Sequence, residues 1–139
     1  TTRVGWMLPQ KERAAAEAMQ RDLKIVAPSI AKRAKFLSGG NQQKVVLSKW
    51  LETNPRVYLL DEPTRGIDVG TKAEFYALIA DLAYQGSGVL LITEEIMEMV
   101  TLCDRVLIMR GGEIASELTG SQITSENILL AITGGSIDE

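Results

Sequence analysis

Three short apolar runs, "RVYLL" at 56–60, "VLLIT" at 89–93 and "RVLIM" at 105–109, recur along the chain with helix-like stretches between them. Each run is apolar at consecutive positions instead of every second one, which is the pattern of a strand covered on both faces. Strands of that kind separated by helices fit an α/β arrangement, in which parallel neighbours are joined by right-handed crossovers. No internal repeat or low-complexity tract interrupts the pattern.

The intervening stretches set the helices. "PQKERAAAEAMQRDLKIV", from Pro9 to about Val26, is rich in alanine and charge with Ala14, Ala18 and Leu23 near helical spacing, so it predicts a mostly solvated helix. Ser38 precedes a second helix expected from about Asn41 to Glu52, whose free amides its hydroxyl can cap. Val45, Val46, Lys49 and Trp50 give that helix its apolar side, and "TNP" ends it. A third helix, about Val69 to Tyr84, sets Phe75, Leu78, Ile79 and Leu82 on one stripe before "QGSG" breaks it. "EEIMEMVTL" reads as a short helix and "RGGE" as a hairpin turn into "IASEL". "TSENILLAIT" is a last helix capped by Thr124 or Ser125.

Composition narrows the chemistry. With 139 residues and 45% hydrophobic content, the chain suffices for one compact, soluble domain, and its apolar runs are too short to span a bilayer. A net charge of −3 with interspersed signs argues against a nucleic-acid surface, which would need a basic stripe. The single cysteine, Cys103, has no internal partner and reads as an ordinary buried or half-buried thiol in a reducing compartment. The chain has no histidine, so a histidine base, metal ligand or pH switch is excluded within it. It opens Thr-Thr-Arg, without an initiator methionine or an apolar signal segment, which leads us to expect a piece of a longer protein.

Reactive groups concentrate in "VYLLDEPTRGID". Asp61 and Glu62 stand at the carboxyl end of an apolar strand, where ligands bind in open α/β sheets, and Pro63 ends the ladder by lacking an amide proton. Such a pair is often only a polar loop. Here one carboxylate can hold Mg²⁺ through water while its neighbour polarises an attacking water, a contribution of roughly 10² to 10⁴ in rate. The pattern fits metal-assisted phosphoryl transfer. A phosphate cradle G-x-x-x-x-G-K-[ST] is absent from the sequence. "GIDVGTK", 66–72, imitates one, but its glycines are one residue too close and Lys72 follows the threonine. By itself the chain is expected to bind ATP poorly.

"LSGGNQQK" at 37–44, followed by "VYLLDEPTRGIDVG" at 57–70 and "CDRVLIMRGGEI" at 103–114, resembles the signature motif, Walker B segment and D-loop of an ATP-binding cassette (ABC) ATPase. The Asn-Gln-Gln-Lys continuation and the form of "DEPTRGIDVG" are similar to the second cassette of monosaccharide importers of the ribose, arabinose or galactose kind. The resemblance covers nearly the whole chain and is weakest over the first thirty residues. It implies an α/β, partial P-loop NTPase-like cassette, a mostly parallel sheet with flanking helices, incomplete because the Walker A half is missing. Residues 1–36 would belong to the helical subdomain and 37–139 to the carboxyl-terminal part of the ATPase core.

The resemblance also implies roles. Two cassettes of this family close head to tail, so Ser38, Gly39, Gly40 and Asn41 would meet the γ-phosphate of an ATP held by the other cassette. A hydroxyl, two glycines without Cβ atoms and the positive end of a helix suit that task. Asp61 resembles the aspartate associated with Mg²⁺, and Glu62 the carboxylate that orients or activates water. Asp68 resembles the D-loop aspartate that links cassettes, although it also fits a plain helix cap, and Arg65 fits either a partner's acid or solvent. Glu94 occupies the switch position, where many cassettes place histidine and sugar-importer second cassettes commonly serine. A desolvated carboxylate there would repel a γ-phosphate by several kcal/mol, roughly, so Glu94 turns away, pairs with a cation, slows the site, or simply favours the first turn of the next helix.

The implied whole is the ATP-hydrolysing, energy-coupling subunit of a carbohydrate importer, using ATP and Mg²⁺. Its partners would be a second cassette and membrane permease subunits, with no nucleic acid, and its place the cytoplasmic face of the cell membrane. The 139-residue chain alone is expected to be inactive, and its uncovered sheet edge invites self-association. Two other classes stay open: a soluble ABC-type ATPase acting on ribosomes or DNA, and a non-catalytic α/β interaction domain.

Overall fold

The computed structural model describes residues 2–3, 6–7 and 9–135. They fall into two compact units, one formed by residues 1–57 with 64–72 and the other by 58–63 with 73–139.

In the first unit, β1 (Thr2–Arg3) and β2 (Trp6–Met7) pair antiparallel, with Thr2 opposite Met7. Helix α1 (Pro9–Asp22) buries none of its residues, as its alanine- and charge-rich composition predicts, and carries an exposed Arg13–Glu17 pair at 3.0 Å. It ends four residues before the expected Val26. Lys24 adopts a left-handed φ of 50° and the Ile25 amide donates back to the Gln20 carbonyl, so Leu23 and Ile25 leave the helix and become buried. A 3₁₀ turn, Ala34–Phe36, leads to α2 (Gly39–Leu51), which starts two residues earlier than expected.

The buried residues of α2 are Gly40, Lys44 and Leu47, a stripe at i, i+4 and i+7. The anticipated apolar side is therefore corrected: Val46 and Trp50 are exposed. What decides the rotation is Gly40, which carries no side chain and so offers no hydrophobic signal, yet lies closest to its neighbours. Helices α1 and α2 and the segment between them line an apolar cleft of about 260 Å³ with Ala15, Met19, Ile25, Ile30, Leu37 and Val45, and none of the candidate site residues lines it.

In the second unit, β3 (Val57–Asp61), which begins at the boundary, hydrogen-bonds with β4 (Gly88–Ile92). Just past β3, the Glu62 amide donates to the Ile92 carbonyl at 2.9 Å, so the carboxyl ends of the two strands lie together, as they do only in a parallel pair. Helix α3 (Val69–Tyr84) supplies the crossover between them and buries Phe75, Ile79 and Leu82, three of the four residues of the expected stripe. The expectation of strands covered on both faces is not met. Burial alternates along β3 and β4: Tyr58 is buried, but Leu59 is 72% exposed and Leu90 and Ile92 are more than half exposed. The described residues supply one covering layer only.

Strands β5 (Arg105–Arg110) and β6 (Glu113–Thr119) form an antiparallel hairpin with a register shift at Ile108/Met109. Gly111 and Gly112 both take positive φ, as a two-residue turn of the right twist requires. Among the described residues β5 pairs with β6 alone, so only two of the three apolar runs are parallel neighbours. Val106, Ile108 and Leu118 of the hairpin form one core with Ile128 and Ala131 of α5 (Ser125–Thr133), and Ile96, Met99 and Val100 of α4 (Ile96–Leu102) pack against it. Thr124, not Ser125, caps α5, its hydroxyl accepting the Asn127 amide at 3.1 Å. The fold class is α/β, as the alternation of runs predicts. Among the described residues no helix is long and apolar enough to cross a membrane.

Candidate functional site

The first unit holds Ser38, Gly39, Gly40, Asn41 and Asp68. Ser38 occupies the N-cap of α2 with extended backbone, φ −60° and ψ 158°, and its carbonyl accepts the first helical bond from the Gln42 amide at 2.9 Å. Its side chain does not cap. Instead of a helix amide, Ser38 Oγ receives Asn41 Nδ2 at 2.7 Å, which corrects the expected capping bond. Asn41 Oδ1 in turn accepts the backbone amide of Val26 at 2.7 Å, and Gln42 Nε2 donates to the Leu37 carbonyl at 2.8 Å.

The two glycines differ. A Cβ on Gly40 would stand 2.6 Å from Thr71 Cγ2 and 3.3 Å from Ile67 Cγ2, so the missing side chain is what lets α2 approach the turn at 66–71. Gly40 is buried by that approach, whereas Ser38 and Gly39 stay exposed. Within the turn, Asp68 Oδ1 accepts the Thr71 amide at 3.0 Å and Oδ2 accepts the Thr71 hydroxyl at 2.8 Å. Asp68 thus fills the helix-cap role foreseen for it, and the bonds from Thr71, backbone first, hold its carboxyl below the usual aspartate range. "GIDVGTK" is the start of α3, with Thr71 engaged by Asp68, and so is not a phosphate loop.

The second unit gathers Asp61, Glu62 and Glu94. Asp61 is the last residue of β3 and exposed. Glu62 takes a left-handed φ of 44°, a conformation costing a non-glycine residue roughly 1–2 kcal/mol. It is pinned at both ends: its amide to Ile92, and its Oε1 to the amide of Glu94 at 2.9 Å. The switch position therefore meets Glu62 through its backbone, while the Glu94 side chain is exposed. The first-turn reading of Glu94 is corrected too, because α4 begins at Ile96 and the Glu95 amide is turned onto Thr93 Oγ1 at 3.0 Å.

Among the described residues no three histidine, cysteine, aspartate or glutamate side chains converge as a metal site. A single exposed aspartate at the strand end suits Mg²⁺ that arrives with phosphate oxygens and keeps its waters, the ordinary habit of that ion. Arg65 is exposed. Cys103 is free and half-buried, and burial, then the charges of Asp104 and Glu98, push its thiol upward.

Sequence reasoning missed the parts played by Val26, Thr71 and the backbone of Glu94. Thr71 had a signal, three residues after a cap-forming aspartate. Backbone amides leave none.

A family model described as ABC transporter matches residues 4–65. The chain is 46% identical over 132 residues to a ribose import ATP-binding protein, RbsA 3, of Rubrobacter xylanophilus, covering 95% of this chain and 27% of that one. It is 50% identical over 133 residues to RbsA 3 of Rhizobium meliloti, with 95% and 26% covered, and 48% identical over 120 residues to the xylose import ATP-binding protein XylG of Geobacillus kaustophilus, with 86% and 24% covered. Among solved structures, the dimeric post-hydrolysis state of the ATP-binding cassette MJ0796, bound to ADP and Pi, superposes with a TM-score of 0.73 at 25% identity over 84% of this chain and 50% of that one. A nucleotide-free cassette from an ABC transporter reaches a TM-score of 0.75 at 24% identity, over 91% and 49%. With its signature and strand-end acids in place, the chain belongs to the ATP-binding cassette family. More narrowly, it is a cassette segment similar to sugar-import ATP-binding proteins, spanning about a quarter of the length of the curated relatives it matches.

Proposed function

We propose that the chain is part of the ATP-hydrolysing, energy-coupling subunit of an importer for a monosaccharide or related carbohydrate. One observation carries the hydrolytic reading: Glu62 Oε1 is held at 2.9 Å by the Glu94 amide, at the shared carboxyl end of β3 and β4. A general base must be aimed before it is useful, and this bond aims Glu62 while its other oxygen remains to take a proton from water. Asp61 beside it would hold Mg²⁺ through water, and the ion would offset phosphate charge. Since the Glu94 side chain is not what meets Glu62, the site keeps a path to activity despite a carboxylate at the switch position.

The signature serves a neighbour. Ser38 and the open side of Gly39, at the start of α2, would meet the γ-phosphate of an ATP seated on a second cassette, and Asp68 would reach across the same junction while capping α3. Closure on ATP and reopening after hydrolysis would move permease subunits at the cytoplasmic face of the membrane. The sugar class is supported by the ribose and xylose importers to which the chain is similar. The apolar faces of Leu59, Leu90 and Ile92 support completion of this unit by polypeptide outside the chain, and without it the 139 residues alone would be inactive.

Glu62→Gln in the full-length assembly tests the reading. ATP turnover should fall by at least a hundredfold while ATP-driven closure persists. Unchanged turnover would remove Glu62 from the chemistry.

A further inference from the structure

We propose that Asn41 is a positioning residue that presets the hydroxyl of Ser38 as a hydrogen-bond donor toward a bound phosphate; the inference rests on the reading of Ser38 as a phosphate contact. The side-chain amide of Asn41 has no freedom to flip. A backbone N–H can only donate, so the oxygen of the amide faces Val26, at 2.7 Å, and the NH₂ group must face Ser38 Oγ, at 2.7 Å. A serine hydroxyl has one proton and two lone pairs. Asn41 occupies one lone pair and, because it can only donate there, cannot accept the proton. Among the described residues this is the one hydrogen bond of the Ser38 side chain, so its proton points away from Asn41 into the exposed space before α2.

The consequence is directional. A freely rotating hydroxyl presents a lone pair or a proton to an approaching anion with comparable ease, and only the proton attracts it. Holding one lone pair inward settles that choice before the ligand arrives, which is preorganisation of the kind that lowers the cost of binding. The chain also gains a brace, because the same amide ties the start of α2 to the segment that follows α1. This division of labour makes Asn41 distinct from a ligand: both ends of its amide are spent inside the protein.

A double-mutant cycle in the full-length protein, in a Glu62→Gln background that halts turnover, tests this with Mg-ATP-driven association of cassettes as the readout. Asn41→Ala should weaken the ATP response about tenfold, the usual scale of a hydrogen bond to a charged group. In a Ser38→Ala background the same change should have less than a twofold effect, since no hydroxyl is left to orient. Asn41→Asp keeps an acceptor for Val26 and so keeps the brace; it should nonetheless lose more in the parent than in the Ser38→Ala background, again by about tenfold. Equal losses from Asn41→Ala in both backgrounds would overturn the proposal, because a brace or a direct phosphate ligand acts whether or not Ser38 has its hydroxyl. If Ser38→Ala alone leaves association unchanged, the phosphate reading of Ser38 falls first and this inference with it. Impairment by Ser38→Ala together with equal losses from Asn41→Ala sinks only the inference.

Discussion

Replacing Gly40 with alanine isolates the closest approach in the first unit. A new Cβ would lie 2.6 Å from Thr71 Cγ2, a distance real Cβ contacts do not reach, with Ile67 Cγ2 and Thr71 Cβ each at 3.3 Å. Thr71 cannot swing aside freely, because it is β-branched and its hydroxyl is bonded to Asp68 at 2.8 Å. Overpacking of this kind costs about 1–3 kcal/mol. Against it stands the gain from removing a glycine from a helix, roughly 0.5–1 kcal/mol and smaller at the second residue of α2 than in its middle. The expected net effect is destabilisation by about 1–2 kcal/mol.

The cause can be checked by deleting the clashing atom. Thr71→Ser removes Cγ2 and keeps the oxygen that bonds Asp68, so it should restore most of the loss in the double mutant while by itself costing about 0.5–1 kcal/mol. Urea unfolding of the four proteins, read from their midpoints at constant slope, gives the coupling energy. Gly40→Ala at or above parental stability, or Thr71→Ser costing the same with and without it, would refute the steric account.

Other outcomes follow from the same structure. Ser38→Arg in the full-length assembly should leave ATP binding intact and abolish cassette association; parental association would remove the contact in trans. Asp68→Ala should destabilise the start of α3, seen as faster amide exchange at Gly70 and Thr71, because two bonds to Thr71 are lost. The folded-state pKa of Asp68 is depressed, so its contribution is complete above the ordinary aspartate value of about 3.9 and disappears as pH falls through the lower folded value. An acid titration in which Asp68→Ala and the parent differ equally at pH 2 and pH 6 would contradict that. Cys103 should react with iodoacetamide at pH 8 several-fold more slowly than the unfolded chain, since burial raises its pKa; equal rates would contradict it. Leu59→Asp should reduce concentration-dependent association of the 139-residue chain in sedimentation, and no change would show that the open face of β3 is not the contact.

The local elements were legible because their signals are local. The turn at 111–112, the helix at 69–84 and the cap at Thr124 follow from glycine, periodicity and a hydroxyl at fixed offsets. Apolar runs also announced strands, since few other elements tolerate consecutive β-branched and leucine residues of that length. Their surroundings were less legible: a run marks what a strand is able to bury, and the covering layer on β3 and β4 must come from elsewhere in space.

Sequence by itself determined the class of chemistry. The absence of histidine and the acids after an apolar strand left carboxylate-based phosphoryl transfer, and the signature with its D-loop fixed the family. Only the tertiary structure decided how those residues are used. Ser38 is served by Asn41 and not by its own helix, Gly40 makes room for Thr71, and Glu62 is aimed by the backbone of Glu94. Each decision runs through a backbone amide or a missing Cβ. Every non-proline residue has that amide, and a missing side chain leaves no letter to read, so geometry alone selects which of them matters.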